Sequence, residues 1–262
     1  MAAILELQNI RLSLTNSRGE RYELLRGVDL AVEKGGVTAL VGGNGTGKTT
    51  LFNIISGFQP AYRGDIRFEG HSLNRIPAHR ISQRGIGRLF QGGQLLSGLT
   101  LMENMKMASS DRFGEVPFSA FGRLRRYREK ELEKESQARQ IFERLFGPDN
   151  KYLGMLDHDA SAFSYGEQRL LSMARLLMGD NRMLLLDEPT AGVNLVYIDN
   201  IERIIREMVG EGMTVLLIEH NMHFVRRVAD SCAYLDDGVI AKTGPTQSVL
   251  DDEEVRNSYL GL

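Results

Sequence analysis

An α/β fold with a largely parallel sheet is predicted by three observations. Short, mainly apolar runs recur; the segments between them carry helical periodicity; and a glycine-rich loop joins one such run to one such helix. The runs are Val37–Val41, residues 183–186 and Thr214–Ile218, and each closes on a loop of glycine or polar residues. Continuous apolar runs of this length suit strands buried on both faces, as parallel sheets require.

The helices follow from spacing. Leu51, Ile54 and Ile55 repeat at helical intervals before Gly57, a C-cap residue. Ile201, Ile204, Ile205 and Met208 fall at i, i+3, i+4 and i+7 before Gly210, an amphipathic helix expected to end there. From about Gly92 to Phe163 the pattern is mostly helical, and it is densely charged between Arg123 and Arg144. Ala138, Ile141, Phe142 and Leu145 give that stretch one apolar stripe, so it is expected to form a helical subdomain inserted into the sheet-based core. Its charges fit a solvated helix face, and a docking surface for a partner is the alternative. No internal repeat or low-complexity tract stands out.

Composition narrows the class. The 262 residues suffice for a sizeable core, with 42% hydrophobic and 25% charged residues, as in ordinary globular chains. Lys and Arg number 32 against 34 Asp and Glu, a net charge of −2 that gives no support for a nucleic-acid surface. The single cysteine, Cys232, excludes an intramolecular disulfide framework and fits a cytosolic setting. The N-terminal residues lack the basic and apolar regions of a secretory signal. No apolar run approaches the roughly 20 residues that span a bilayer, so the chain is not expected to cross a membrane by itself.

Residues 42–50 read GGNGTGKTT: Gly42, Gly43, Asn44, Gly45, Thr46, Gly47, Lys48, Thr49 and Thr50. They fit G-x-x-x-x-G-K-[ST] between an apolar strand and a helix, the context a phosphate-binding P-loop needs. Glycines let successive N–H groups converge on phosphate oxygens, and the helix N-terminus adds partial positive charge. Lys48 supplies a cation toward the β- and γ-phosphates, and the Thr49 hydroxyl is placed to ligate Mg²⁺. This motif alone leaves kinases, GTPases and motor ATPases open.

Asp187 and Glu188 end the apolar run in MLLLDEPT, where open α/β sheets place ligands. Asp187 is suited to hold Mg²⁺, largely through water, and Glu188 to polarise an attacking water as general base. About twenty residues earlier stands FSYGEQ, residues 163–168. Ser164 followed by Glu167 is a capping box, and Leu170, Ala174, Leu177 and Met178 continue a helical face. The same helix start can present Ser164 and the Gly166 N–H to a phosphate.

With these residues in hand, the chain resembles the ABC ATPase family over nearly its whole length. The resemblance rests on five motifs in order: GGNGTGKTT, Gln91 after Arg88-Leu89-Phe90, FSYGEQ, MLLLDEPTAGVN, and Ile218-Glu219-His220. It implies that Gln91 contacts Mg²⁺ and water and senses a membrane subunit, and that His220 contacts the γ-phosphate. It also implies that residues 191–194 form a loop crossing between paired subunits. The signature departs from the usual L-S-G-G-Q at Phe163, Tyr165 and Glu167, and Leu170 stands where Arg is common. Residues 16–22 carry a longer hairpin, and Tyr22 is the local candidate for the aromatic residue that stacks on adenine.

The family implies an α/β P-loop NTPase with a RecA-like core, an antiparallel β part near the N-terminus and an inserted α-helical subdomain. The expected division is 1–91 for the β part and P-loop half, 92–163 for the helical subdomain, and 164–262 for the second half of the core. Two subunits, identical or paralogous, are expected to sandwich ATP and Mg²⁺, each P-loop facing the opposite signature. Multi-span membrane permease subunits and a substrate-binding protein are the further partners, which places the chain in the cytoplasm on the inner face of the cell membrane. The Tyr-Gly signature, Asn194, the insert FSAFGRLRRYREKE and the ending Tyr259-Leu260-Gly261 resemble ATPases of branched-chain amino acid importers and related urea and amide importers. The rival expectation is a soluble ABC machine of translation or DNA repair. Such proteins usually carry two ATPase units or a long coiled-coil or zinc insertion, and neither appears here. A purely regulatory ATP binder is disfavoured by intact Lys48, Glu188 and His220.

Overall fold

The computed structural model of the chain describes residues 3–92, 95–109 and 124–260. It comprises two compact units: Met1–Gln91 with Arg182–Ala191 and Met208–Leu262, and Gly92–Asn181 with Gly192–Glu207. In chain order the elements begin with β1 (Ala3–Thr15), β2 (Arg21–Glu33), β3 (Val37–Val41), α1 (Lys48–Ile55), β4 (Arg63–Phe68), β5 (His71–Ser72), α2 (Ala78–Gln83) and β6 (Ile86–Leu89). Next come α3 (Leu101–Met107), α4 (Leu124–Phe146), α5 (Tyr165–Arg175), β7 (Met183–Asp187), α6 (Leu195–Gly210) and β8 (Thr214–Ile218). The chain closes with α7 (Met222–Val228), β9 (Ser231–Asp236), β10 (Val239–Pro245), α8 (Thr246–Leu250) and α9 (Glu253–Leu260).

The first unit holds both sheets. β3, β7 and β8 are buried at every position, as their mainly apolar sequence predicts, and the Thr38 and Thr214 hydroxyls within them find partners in Ser231 Oγ and Gly35 N. They sit inside a six-stranded sheet of order β10-β9-β3-β8-β7-β6, parallel throughout except for the β9–β10 pair. The second sheet is antiparallel, of order β2-β1-β4-β5, near the N-terminus. One buried cluster joins Leu5, Leu25 and Phe68 of this sheet to Leu51, Phe52 and Ile55 of α1 and to Leu40, Leu185 and Ile218 of the six-stranded sheet. On alternate side chains of β3, Ala39 and Val41 instead join Val225, Cys232, Tyr234 and Val249. The expected hairpin is present: Asn16 Oδ1 accepts from the N–H groups of Arg18 and Glu20, both at 2.9 Å, and Gly19 takes φ 80°.

Helix ends obey the glycine rule, with one shift. Gly57 caps α1 as expected: its N–H reaches Ile54 O at 3.1 Å while Phe58 N reaches Asn53 O at 2.8 Å, the paired bonds of a Schellman motif. The same pair closes α6 at Gly212 rather than at Gly210, with Gly212 N on Val209 O at 2.9 Å and Met213 N on Met208 O at 3.1 Å. Gly210 is the last helical residue, because each added residue gains a backbone bond until a glycine is free to turn left-handed.

In the second unit the expected stripe Ala138, Ile141, Phe142 and Leu145 is buried on α4. The Phe142 ring lies beside Phe146 and Tyr152. The charged side of α4 pairs largely with itself and α3: Lys134 with Glu131, Arg139 with Glu135, and Lys106 with Glu131. α5, expected with the second half of the core, belongs by its contacts to this unit, as do Gly192–Glu207. Residues 118–123 of the insert and Gly261 lie outside the described residues.

Candidate nucleotide site

Strand order assembles the site. β3, β8, β7 and β6 are consecutive neighbours, and the loops after their carboxyl ends carry Lys48, His220, Glu188 and Gln91 in turn. Register keeps those ends level: Leu40 pairs with Ile218, Ile218 with Asp187, and Leu89 with Leu186. Ligands of open α/β sheets bind at such an edge.

The phosphate loop is shaped by close approach. A Cβ on Gly42 would collide with the Leu235 carbonyl oxygen, and one on Gly47 would lie 2.7 Å from Leu25 Cδ2. Gly47 also takes φ 104° as the N-cap of α1, where only glycine is comfortable. The Thr46 hydroxyl donates to Gly43 O at 3.0 Å, bracing the turn through Asn44 and Gly45. The first-turn N–H groups of Lys48, Thr49 and Thr50 have no intrahelical carbonyl to bond. Lys48 is buried, and its Nζ donates to Gly42 O at 2.8 Å and Gly43 O at 2.7 Å. Burial pushes its pKa below the ordinary lysine value, against the pull of Glu188 and Asp187 nearby. An anion entering this loop therefore meets a preplaced, poorly solvated cation.

Asp187 is fully buried. Its Oδ1 lies 3.4 Å from the Thr49 hydroxyl and its Oδ2 3.2 Å from Arg88 Nη2. Burial raises its carboxyl above the usual range, while Arg88 works in the opposite direction. Thr49 and Asp187 present two hard oxygens side by side, a donor set that fits Mg²⁺, which is commonly held by one or two protein oxygens plus phosphates. Among the described residues no cluster of three or more His, Cys, Asp or Glu is arranged to hold a metal without such help.

Glu188 follows with φ 49°, a left-handed conformation uncommon for a residue with a side chain. Its N–H donates to Ile218 O at 2.9 Å, tying the end of β7 to β8. The carboxylate is bracketed: Gln91 Nε2 donates to Oε2 at 3.0 Å, and His220 Nε2 lies 3.1 Å from Oε1. Lys48, Thr49, Gln91, Asp187, Glu188 and His220, predicted separately, thus form one cluster. Tyr22 stands on β2 opposite Leu14, 46% exposed, and no ring contact joins it to the phosphate loop among the described residues.

Ser164 and Gly166 lie in the second unit. Ser164 caps α5 in a full capping box: its N–H and hydroxyl reach Glu167 Oε2 at 2.9 and 2.7 Å. Lys151 forms an ion pair with the other oxygen of Glu167. Burial opposes ionisation of Glu167, but Lys151 and Ser164 together hold its pKa below the ordinary value. Gly166 is fixed by space, since a Cβ there would stand 2.8 Å from the Tyr197 ring.

Two residues of the first unit were not singled out by sequence. Glu219, 2% exposed, accepts four bonds: Thr190 N and Oγ1 on Oε1 at 2.8 and 2.6 Å, His220 N and Asn221 N on Oε2 at 3.0 and 3.3 Å. It clamps the loop after Glu188 to the loop bearing His220. Arg88 is the other, a guanidinium buried beside Asp187. A charged residue inside a motif reads as solvated until its burial is known, so neither gave a sequence signal.

The ABC transporter family model matches residues 25–191. A high-affinity branched-chain amino acid transport ATP-binding protein, BraF of Pseudomonas aeruginosa, is 32% identical over 90% of this chain and 91% of its own length. A probable branched-chain amino acid transport ATP-binding protein, LivG of Archaeoglobus fulgidus, is 36% identical over 90% of this chain and 89% of its own. The lipopolysaccharide export system ATP-binding protein LptB of Haemophilus influenzae is 32% identical over 89% of both chains. Among solved structures, a nucleotide-free ATP-binding cassette from an ABC transporter superposes with a TM-score of 0.78 at 30% identity, covering 99% of this chain and 100% of its own. The ADP conformation of the cassette MJ1267 does so at 0.79 and 29%, covering 100% of both. Motifs, sheet order and these likenesses agree: the chain belongs to the ABC transporter family, as an ATP-hydrolysing cassette.

Proposed function

We propose that this cassette powers import of branched-chain amino acids, or of a related small amide, through separate membrane permease subunits fed by a substrate-binding protein. The observation that carries the substrate class is the kinship, at 32% and 36% identity over 90% of the chain, with proteins named for branched-chain amino acid transport. The Tyr165-Gly166 signature and Asn194 agree with it. The absence of any helix long and apolar enough to cross a membrane, among the described residues, fits permeases on other chains. The working location is the inner face of the cell membrane.

In the proposed reaction ATP and water give ADP and phosphate. Lys48 and the N–H groups around it bind the β- and γ-phosphates. Glu188 accepts the proton of the attacking water as its oxygen approaches the γ-phosphorus. Gln91 and His220 hold that carboxylate from either side, and His220 reaches the γ-phosphate. Thr49 and Asp187 would hold Mg²⁺, which would neutralise phosphate charge when bound. Tyr22 is the candidate for adenine stacking. Each site is completed by Ser164 and Gly166 of a second subunit, an identical chain or a paralogue, so that binding and hydrolysis close and open the pair.

Uptake of radiolabelled leucine, isoleucine and valine by a strain lacking the gene tests the substrate class. Loss of uptake at low external concentration is expected. Normal uptake of all three, with loss of an unrelated cargo or of an export function, overturns it and leaves the ATPase intact.

A further inference from the structure

Arg88 is 5% exposed at its side chain, and among the described residues its partners lie on or beside elements that carry site residues. One arm, Nη2, reaches Asp187 Oδ2 at 3.2 Å. The other, Nη1, donates to Asn53 Oδ1 at 2.8 Å and Ser56 Oγ at 2.7 Å, both on or just after α1, the helix of the phosphate loop. The guanidinium lies over Phe90 at 4.4 Å and faces Phe52 at 5.7 Å. Phe90 immediately precedes Gln91. The Nε donor is buried and reaches no acceptor among the described residues. A buried arginine that leaves one donor unmade while forking to three acceptors is oriented by those acceptors, not by saturation of its own bonds.

We infer that Arg88 is a positioning residue for the metal-binding carboxylate. It holds Asp187 Oδ2, which leaves Oδ1 turned to the Thr49 hydroxyl, and it fixes the distance between α1 and β7 that sets this pair of oxygens. Its planar fork suits the task, because a point charge cannot span Asp187, Asn53 and Ser56 at once. Stacking on Phe90 extends the same restraint to the start of the Gln91 loop. The inference rests on Asp187 acting as the Mg²⁺ ligand.

The test is the ratio of nucleotide affinities with and without Mg²⁺, read with a fluorescent ADP analogue in Mg²⁺ or in EDTA, beside the melting temperature. Arg88→Gln should lower that ratio by about tenfold or more, the usual worth of a partner that orients a metal ligand. Binding in EDTA, which depends on Lys48 and the loop, should stay within about twofold of the unaltered protein. Arg88→Lys restores charge without the fork, and should recover melting temperature more fully than the Mg²⁺ ratio. An unchanged ratio in folded Arg88→Gln, with only the melting temperature lowered, makes Arg88 a structural residue and overturns the inference. Asp187→Asn separates the two levels. If it lowers the ratio and Arg88→Gln does not, the inference alone falls; if it does not, the assignment of Asp187 falls and the inference with it. Should Arg88→Gln fail to fold, Asn53→Ala with Ser56→Ala removes the anchor without stranding a charge. The ratio must then drop, and no change overturns the proposal.

Discussion

His220 Nε2 lies 3.1 Å from Glu188 Oε1, across the gap between the loops that follow β8 and β7. Gln91 donates to the other carboxylate oxygen at 3.0 Å, so both oxygens of the proposed base are contacted, one by a hydrogen bond and one by the His220 ring. Glu188→Gln keeps the size and much of the bonding but removes basicity. Turnover should fall roughly 10²- to 10⁴-fold while ATP still binds. The variant should accumulate as an ATP-loaded pair, most readily with its natural partner, in light scattering with Mg-ATP. Ser164→Arg should instead prevent pairing. Normal hydrolysis by Glu188→Gln rules out Glu188 as the base, and equal pairing by both variants rules out the composite site.

Lys48→Ala removes the cation that Gly42 O and Gly43 O hold inside the phosphate loop. Nucleotide affinity should fall sharply in equilibrium titration with a fluorescent ATP analogue, in EDTA as well as in Mg²⁺. Unchanged affinity in a folded variant removes the basis of the phosphate site.

Glu219→Ala strands four donors around a buried carboxylate position. Leaving such groups unsatisfied costs about 1–3 kcal/mol each at most, and partial rewetting reduces the sum. Urea unfolding should show a loss of about 2–4 kcal/mol. Glu219→Gln should rescue only in part, because its amide NH₂ must face either the His220 and Asn221 N–H groups or the Thr190 N–H beside a hydroxyl that can turn to accept. Full rescue by Gln contradicts the clamp.

Cys232 sits on β9, 1% exposed, and burial pushes its thiol up to about 12. At pH 8 almost no thiolate forms, and reagent access is blocked as well. A thiol-reactive dye should label the folded protein far more slowly than the urea-unfolded chain, with labelling tracking unfolding. Rapid labelling of the native protein contradicts this packing.

Much of this was legible because local chemistry and global fold agree. Val37–Val41 and Thr214–Ile218 could be bounded to the residue, since a strand buried on both faces leaves no charged position inside it and admits only small hydroxyls such as those of Thr38 and Thr214. Ser164 and Glu167 announced a capping box that involves only neighbours in sequence. What escaped notice is non-local. Arg88 meets Asp187 across 99 positions and Glu219 meets Thr190 across 29, and no pattern within either segment records that meeting. α6 ends at Gly210 as its spacing predicts, but the capping turn is made by Gly212, because two glycines compete for one cap and the choice depends on which closes both backbone bonds.

The place of β3 in its sheet carries a consequence for synthesis. Ala39 pairs with Leu217 on one side and Cys232 on the other, 217 − 39 = 178 and 232 − 39 = 193 residues later. At 5–20 residues per second, a ribosome leaves that strand without neighbours for roughly 10–35 s. Until then the apolar run before the phosphate loop has no sheet to enter and is a natural client for a chaperone. Nucleotide capture by a nascent chain would therefore report that translation has passed β9, and a chain stopped before β8 should bind none.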